Sequence, residues 1–159
     1  MLGPRAGIAM QNDVEARQDV LVYSTGPLES DLEVTGLVTA VLHVATTAPN
    51  TDFAVKLVDV HPDGKAYNVS DGILRRPYSS QVQQDASTEI EIRLWPTSML
   101  FRRGHRVRVE VSSSNYPRYD RNPNTGRDIL AETSPIAATQ TVHHGASALS
   151  RIILPIVPR

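Results

Sequence analysis

The chain has 159 residues, 40% of them hydrophobic and 21% charged, the make-up of one globular domain long enough to bury roughly 70% of the surface its unfolded form exposes. A formal net charge of −1 supplies no global field to recruit nucleic acid or an anionic membrane surface, and the lack of cysteine excludes disulfides and thiolate metal sites. No apolar run approaches the ~20 residues that cross a bilayer, and Met1–Met10 lacks the apolar centre of a signal peptide, so the expected compartment is the cytoplasm.

Residues 1–17 hold Gly3, Pro4 and Gly7 and keep no period, so they read as an irregular N-terminal arm, with the domain proper at 18–159. Val20–Ser24 is a short run of β-formers closed by Gly26-Pro27. Leu32–Thr46 is long, apolar at Val34, Val38, Leu42 and Val44, and Gly36 within it predicts a bulge or bend. Phe53–His61 alternates with apolar residues on both faces, which describes a strand covered on both sides. Pro62-Asp63-Gly64 is a turn, since Pro sets the first corner and Gly supplies the positive φ after it, and it predicts a hairpin into Lys65–Val69. Asp71-Gly72 reads as a second turn or bulge before Ile73–Arg75, and Ser79–Ser87 reads as a polar loop. Thr88–Trp95 puts Ile90, Ile92 and Leu94 inward and Glu89, Glu91 and Arg93 outward, until Pro96 ends it. Trp95, at that strand end, reads as a buried anchor. Arg106–Ser112, Thr139–His143 and Leu149–Leu154 are the last strands, and Arg127–Glu132 can form one helical turn. Eight or nine short strands separated by Gly/Pro turns predict an all-β sandwich or barrel.

The segment from Gly104 to Gly126 is the most distinctive. Val107, Val109 and Val111 point one way and Arg106, Arg108 and Glu110 the other, a strand with one buried face. Pro117 and Pro123 cannot continue a ladder, and Asn115, Asp120, Asn122 and Asn124 favour local turns. The strand therefore feeds a polar loop rich in Arg and Tyr. Basic residues throughout are arginine apart from Lys56 and Lys65, and arginine suits bidentate carboxylate pairing and interface contacts. The candidate interface or ligand loop comprises Asn115, Tyr116, Arg118, Tyr119, Asp120, Arg121 and Asn124.

These residues, with Leu94-Trp95-Pro96-Thr97-Ser98, Asp19–Ser24, Asp31–Gly36, Asp71–Arg75 and Ser150–Pro155, resemble the C-terminal domain of the X-Pro dipeptidyl-peptidase, cocaine esterase and α-amino-acid ester hydrolase family of serine hydrolases. The resemblance runs in order from about Asp13 onward. It implies a jelly-roll β-sandwich, galactose-binding-domain-like, that accompanies an α/β-hydrolase domain in complete members. It also implies that the catalytic Ser, Asp and His belong to that other domain. The expected function is accordingly non-catalytic, bracing a hydrolase domain in cis or in trans.

The residues themselves fit this division. Gly145-Ala146-Ser147-Ala148-Leu149 departs from the Gly-x-Ser-x-Gly elbow at Leu149, with no helix after it, so Ser147 reads as part of a turn despite His143 and His144 nearby. Ser112–Ser114 and His105 read as structural hydrogen-bonding groups at strand ends. Asp59, His61 and Asp63 share a spacing of two, but Pro62 breaks the strand between them. No catalytic residue, cofactor or metal site is therefore expected, with calcium at loop carboxylates left open. Arg102, Arg103, Arg106, Arg108, Arg118 and Arg121 mix with Tyr116 and Tyr119 as in binders of single strands, yet Glu110, Asp120 and Asp128 interrupt them, so nucleic acid is not an expected partner. The alternative function is a stand-alone carbohydrate- or ligand-binding sandwich with Asn115, Tyr116, Tyr119, Asp120 and Asn124 as its rim. A weak homodimer through Tyr116–Arg121, pairing Asp120 with Arg118 and Arg121 of a second copy, is also expected.

Overall fold

Alternating β-branched and polar residues resolve into eleven strands in a computed structural model that describes residues 7–77 and 87–158. They are β1 (Leu21–Ser24), β2 (Leu32–Gly36), β3 (Thr39–Thr46), β4 (Asn50–Val60), β5 (Ala66–Pro77), β6 (Thr88–Arg93), β7 (Thr97–Phe101), β8 (Arg106–Ser112), β9 (Gln140–His143), β10 (Arg151–Ile153) and β11 (Ile156–Val157). The one helix among the described residues is the single turn α1 (Asn12–Glu15). One antiparallel layer runs β1-β8-β4-β5. The other is made of β10-β3-β6, with β9 also on β3, and of β11-β2-β7. Only β4 and β5 are neighbours both in sequence and in a sheet; every other pairing joins distant segments, as in a jelly roll.

The predicted long strand Leu32–Thr46 is two strands. Gly36 takes φ 136°, a conformation that side chains disfavour, and a Cβ there would stand 3.1 Å from the Pro155 ring. Across from it Pro96 interrupts the partner between β6 and β7, and the Leu94 amide donates to the Val38 carbonyl at 2.9 Å in the gap. The second layer is thus one long antiparallel pair bent in its middle. The bend explains why the strand Thr97–Phe101, placed beyond a proline, escapes a reading of alternation.

Between the layers lies one apolar core. Phe53, Val55 and Leu57 of β4 and Val107 and Val111 of β8 face Ala40, Leu42 and Val44 of β3 and Ile90 and Ile92 of β6, with Val34 and Phe101 from the bent end. Ile90, Ile92 and Leu94 are buried and Glu89, Glu91 and Arg93 are not, as the alternation predicts. Pro62–Gly64 forms the expected turn, with Gly64 at φ 86° and the His61 amide bonded to the Lys65 carbonyl at 2.8 Å. The predicted turn at Asp71-Gly72 is instead uninterrupted strand, Gly72 pairing with Val55 in the twelve-residue β5. Gly72 is required by close approach, because a Cβ there would lie 2.5 Å from the Arg93 carbonyl oxygen. The irregularity falls just before it, where the register shifts between Leu57 and Val58. The polar loop expected at Ser79–Ser87 lies outside the described residues, Ser87 apart.

The outer face of the first layer is not left to solvent. Met10 bridges to Tyr67, the Gln11 amide donates to the Ala66 carbonyl at 2.8 Å, and Asn12 accepts from the Ala66 amide at 3.0 Å. Residues 7–17 are therefore anchored across β5, with α1 beyond. Beneath them Lys56 bonds Gln11 Oε1 at 2.9 Å and stands 3.6 Å from Glu110, while Arg108 holds Glu15 at 2.6 Å. Glu110, read from the alternation as outward-facing, is 2% exposed because this segment covers it. Burial pushes its carboxyl up to about 7; Lys56 offsets part of that and the Glu15 carboxyl adds to it.

Two expected outcomes follow from these packings. Gly72→Ala forces a methyl into the Arg93–Leu94 backbone, which cannot step aside as a side chain could. A cost of about 3 kcal/mol and a melting temperature lower by about 10 °C are expected by calorimetry. A carboxyl whose folded pKa lies above its unfolded value binds an extra proton in the native state, so Glu110 favours folding below the ordinary carboxylate range. That contribution is lost as pH rises through about 7. Glu110→Gln should flatten the decline in urea-unfolding stability between pH 5 and 8 by at most about 3 kcal/mol relative to wild type.

Candidate functional site

After β8 the chain enters the loop 113–126, whose shape is set by two buried aspartates. Asp71 on β5 and Asp52 on β4 are 6% and 1% exposed. Both lie on the outer face of the first layer, opposite Lys56 and Arg75 in the strand register. A buried carboxylate must be hydrogen-bonded or neutralised. Asp71 receives Asn115 Nδ2 at 2.7 Å and Arg118 Nη1 at 2.5 Å. Asp52 receives Arg75 in a two-point contact, Nε to Oδ1 at 2.9 Å and Nη2 to Oδ2 at 2.8 Å, and Asn122 Nδ2 at 2.7 Å. Arg75 Nη2 also donates to the Asp120 carbonyl at 2.7 Å, and the hydrogen bonds to Asp52 raise the guanidinium pKa above its ordinary value against the pull of burial.

Of the seven candidate residues, three are committed inward. Asn115 and Arg118 hold Asp71. Asn124, at φ 64°, accepts from Thr51 Oγ1 at 3.0 Å and donates to the Ile136 carbonyl at 3.1 Å. The other four face out to differing degrees. Arg121 lies over the Tyr116 ring at 4.4 Å, Tyr119 is half-buried, and Asp120 is exposed. Trp95, expected to be a buried anchor, is 60% exposed. Its amide donates to the Asp71 carbonyl at 3.0 Å and its carbonyl accepts from Ser70 Oγ at 2.5 Å. The backbone is thus fixed while the indole projects outward with the Arg118 guanidinium 5.7 Å from its centre. The loop is a rigid Arg/aromatic surface on carboxylate anchors. Asp52 carries no sequence signal beyond being a charged residue on a strand whose apolar neighbours mark it as covered, and Asn122 reads as an ordinary turn former.

A second cluster sits where the core ends. Asp59 follows Phe53, Val55 and Leu57 on the inner row of β4 and is 2% exposed. His105, 46 residues further on, places Nδ1 at 2.9 and 3.1 Å from its two oxygens. His61 Nε2 is 3.3 Å from Oδ2, and the two imidazole rings stand 4.4 Å apart. His105 is thus the structural hydrogen-bonder expected. Asp63 is not in the group: it bonds the Lys65 amide and pairs with its ammonium at 2.8 Å.

Ser147 lies in the exposed turn 145–148, closed by the Ala148 amide on the Gly145 carbonyl at 3.2 Å. No hydrogen bond joins it to a histidine among the described residues. Ser150 instead donates to the His143 carbonyl at 2.5 Å and accepts the His43 amide at 2.9 Å, which ties the turn to β3. His144 packs edge-on to Tyr23. Beside them an apolar crevice of about 180 Å³ opens between the layers, lined by Tyr23, Leu42, Val109, Val142 and Ile152 with Arg151. Around it β1 is exposed along its whole length, and Leu149, Ile153, Ile156 and Val157 are exposed as well.

The chain is a β-sandwich domain that carries an Arg/aromatic loop and an open apolar edge. The chain belongs to the family of X-Pro dipeptidyl-peptidase C-terminal non-catalytic domains, which matches residues 5–153. It is similar to the cocaine esterase of Rhodococcus sp. (strain MB1 Bresler), at 44% identity over 96% of this chain and 28% of that protein. Among solved structures it is similar to an aminopeptidase from a marine sediment archaeon, Thaumarchaeota archaeon, with a TM-score of 0.87 and 32% identity over 95% of this chain and 28% of that one. An α-amino acid ester hydrolase gives a TM-score of 0.84 and 31% identity, over 94% and 27%. The chain thus spans little more than a quarter of each of these larger hydrolases.

Removing an anchor tests the loop. Asp71→Ala leaves Arg118 and Asn115 without their acceptor and should cost about 2 kcal/mol. Tryptic cleavage at Arg118 and Arg121 should quicken at least tenfold. Equal cleavage in wild type and variant would show that Asp71 does not order the loop.

Proposed function

We propose that this chain braces an α/β-hydrolase catalytic domain, supplied in cis or in trans, and has no hydrolytic activity of its own. The observation that carries the reading is the apolar edge. Leu21, Val22 and Tyr23 on β1 are 38–40% exposed and Ile153 is 50% exposed; Tyr23 and Arg151–Ile152 share the crevice between the layers. An isolated β-domain gains nothing from leaving an edge strand apolar and uncovered. A second domain burying ~600–1,500 Å² would remove that exposure, and relatives more than three times as long have the chain length to provide one. The loop Asn115–Arg121 is a second contact surface, with Tyr116, Tyr119 and Arg121 facing out. Arg118 is engaged by Asp71, so reciprocal pairing in a homodimer would fall to Arg121 and Asp120. The carbohydrate-binding alternative has less to work with, because Asn115 and Asn124 are already bonded within the domain.

The test is a chimera in which this chain replaces the corresponding region of the Rhodococcus cocaine esterase. Esterase activity and solubility should be retained, and Tyr23→Asp with Ile153→Asp should reduce active yield at least tenfold while the isolated sandwich still folds. The chain alone should not react with a fluorophosphonate probe. Unchanged yield in the double variant would remove the apolar edge from the interface, and stoichiometric labelling abolished by Ser147→Ala would overturn the non-catalytic assignment.

A further inference from the structure

The geometry points to a divalent transition-metal site of the zinc type formed by Asp59, His61 and His105. Three donors of the right chemistry converge: one carboxylate and two imidazole nitrogens, all within 4.8 Å of one another. Two ligands each ~2.0–2.1 Å from a tetrahedral ion stand roughly 3.3 Å apart. From the same carboxylate oxygen, Asp59 Oδ2, His61 Nε2 stands at 3.3 Å and His105 Nδ1 at 3.1 Å. The imidazoles, 4.4 Å between ring centres and inclined by 39°, suit adjacent coordination positions rather than opposite ones.

Burial divides the labour. Asp59, with its side chain 2% exposed, on β4 and His105, 13% exposed, just ahead of the neighbouring β8 form the buried floor. His61, 40% exposed, sits at the head of the Pro62–Gly64 turn and can close on an ion arriving from solvent. The hydrogen bond between His105 Nδ1 and Asp59 would be exchanged for bonds from both groups to the ion. Three protein ligands leave a fourth position to water or to a donor from another surface, the pattern of open zinc sites rather than closed ones. Asp63, the third member of the spacing in sequence, is outside the set, and a residue from a different strand replaces it. The ion would tie the β4–β5 hairpin to the entry of β8 at the end of the core.

The experiment uses the 159-residue chain with any affinity tag removed and stripped with a chelator. Cobalt(II) should give the visible absorption of a low-coordinate N/O site at one equivalent. Zinc at about 100-fold over its dissociation constant should raise the melting temperature by at least about 5 °C, reversed by the chelator. His61→Ala and His105→Gln should each abolish both effects, while Asp63→Asn and His144→Ala should leave them intact. His61 is exposed enough that its variant folds, so it decides the matter if His105→Gln does not. A flat melting temperature and no cobalt spectrum at millimolar metal, or a full response in His61→Ala, would overturn the site.

Discussion

Everything outside the apolar core answers to one electrostatic requirement. The layer β1-β8-β4-β5 buries four carboxyl groups among the described residues, Asp52, Asp59, Asp71 and Glu110, and an ionised carboxylate away from water must be matched or lose its charge. Asp71 and Asp59 are matched by segments that are not strands, and Asp52 by Arg75 of β5 with help from the loop. The loop 113–126 brings Asn115, Arg118 and Asn122 to Asp71 and Asp52, and the residue just ahead of β8 brings His105 to Asp59. Glu110 takes the other route: its ammonium partner is imperfect, a second carboxyl adjoins it, and its affinity for a proton rises. Irregular cover and buried charge thus specify each other. The cover has no hydrophobic stripe to hold it down, and the charges have no water.

That dependence also decides which features a reader of the sequence alone can find. A strand with one wet face announces itself, as in Glu89–Leu94, because alternation survives where one face stays polar; in Arg106–Ser112 the same alternation marks a polar face that is covered. β4 is covered on both faces, and its mixture of Phe53, Ala54, Val55 and Val58 declares this correctly. What cannot be read is which irregular segment does the covering, since Asn12, Asn115 and Asn122 resemble ordinary turn formers. Gly72 misleads for a related reason: Asp-Gly is a turn signal locally, yet here the missing side chain admits the backbone of Arg93. The Arg/Tyr loop stands out by composition, but composition does not separate the arginine that builds the loop, Arg118, from Arg121, which faces outward. The Asp59–His61–His105 cluster depends on strand register, and no spacing along the chain contains it.

The two uncommitted surfaces differ in kind. The loop presents cationic and aromatic groups above carboxylate anchors, with Arg121 over the Tyr116 ring and Arg118 held by Asp71. The β1 edge presents apolar side chains and a strand with one unpaired side, which any extended segment could extend.

The wiring described for the sheets has a temporal consequence. Only β4 and β5 can pair as soon as they are made; β1 waits for β8, and β3, at the centre of the second layer, waits for β9 and β10 at residues 140–153. Loop-closure entropy must be overcome before such distant pairings repay it, and chains of this topology acquire structure late and slowly. On a ribosome, the β4–β5 hairpin is therefore the one early island. The strand β3 remains open on that edge until residues 140–153 have emerged. Deleting β10 would strip one partner from β3, and the damage would be felt at residues made more than a hundred positions earlier, at Thr39–Val41.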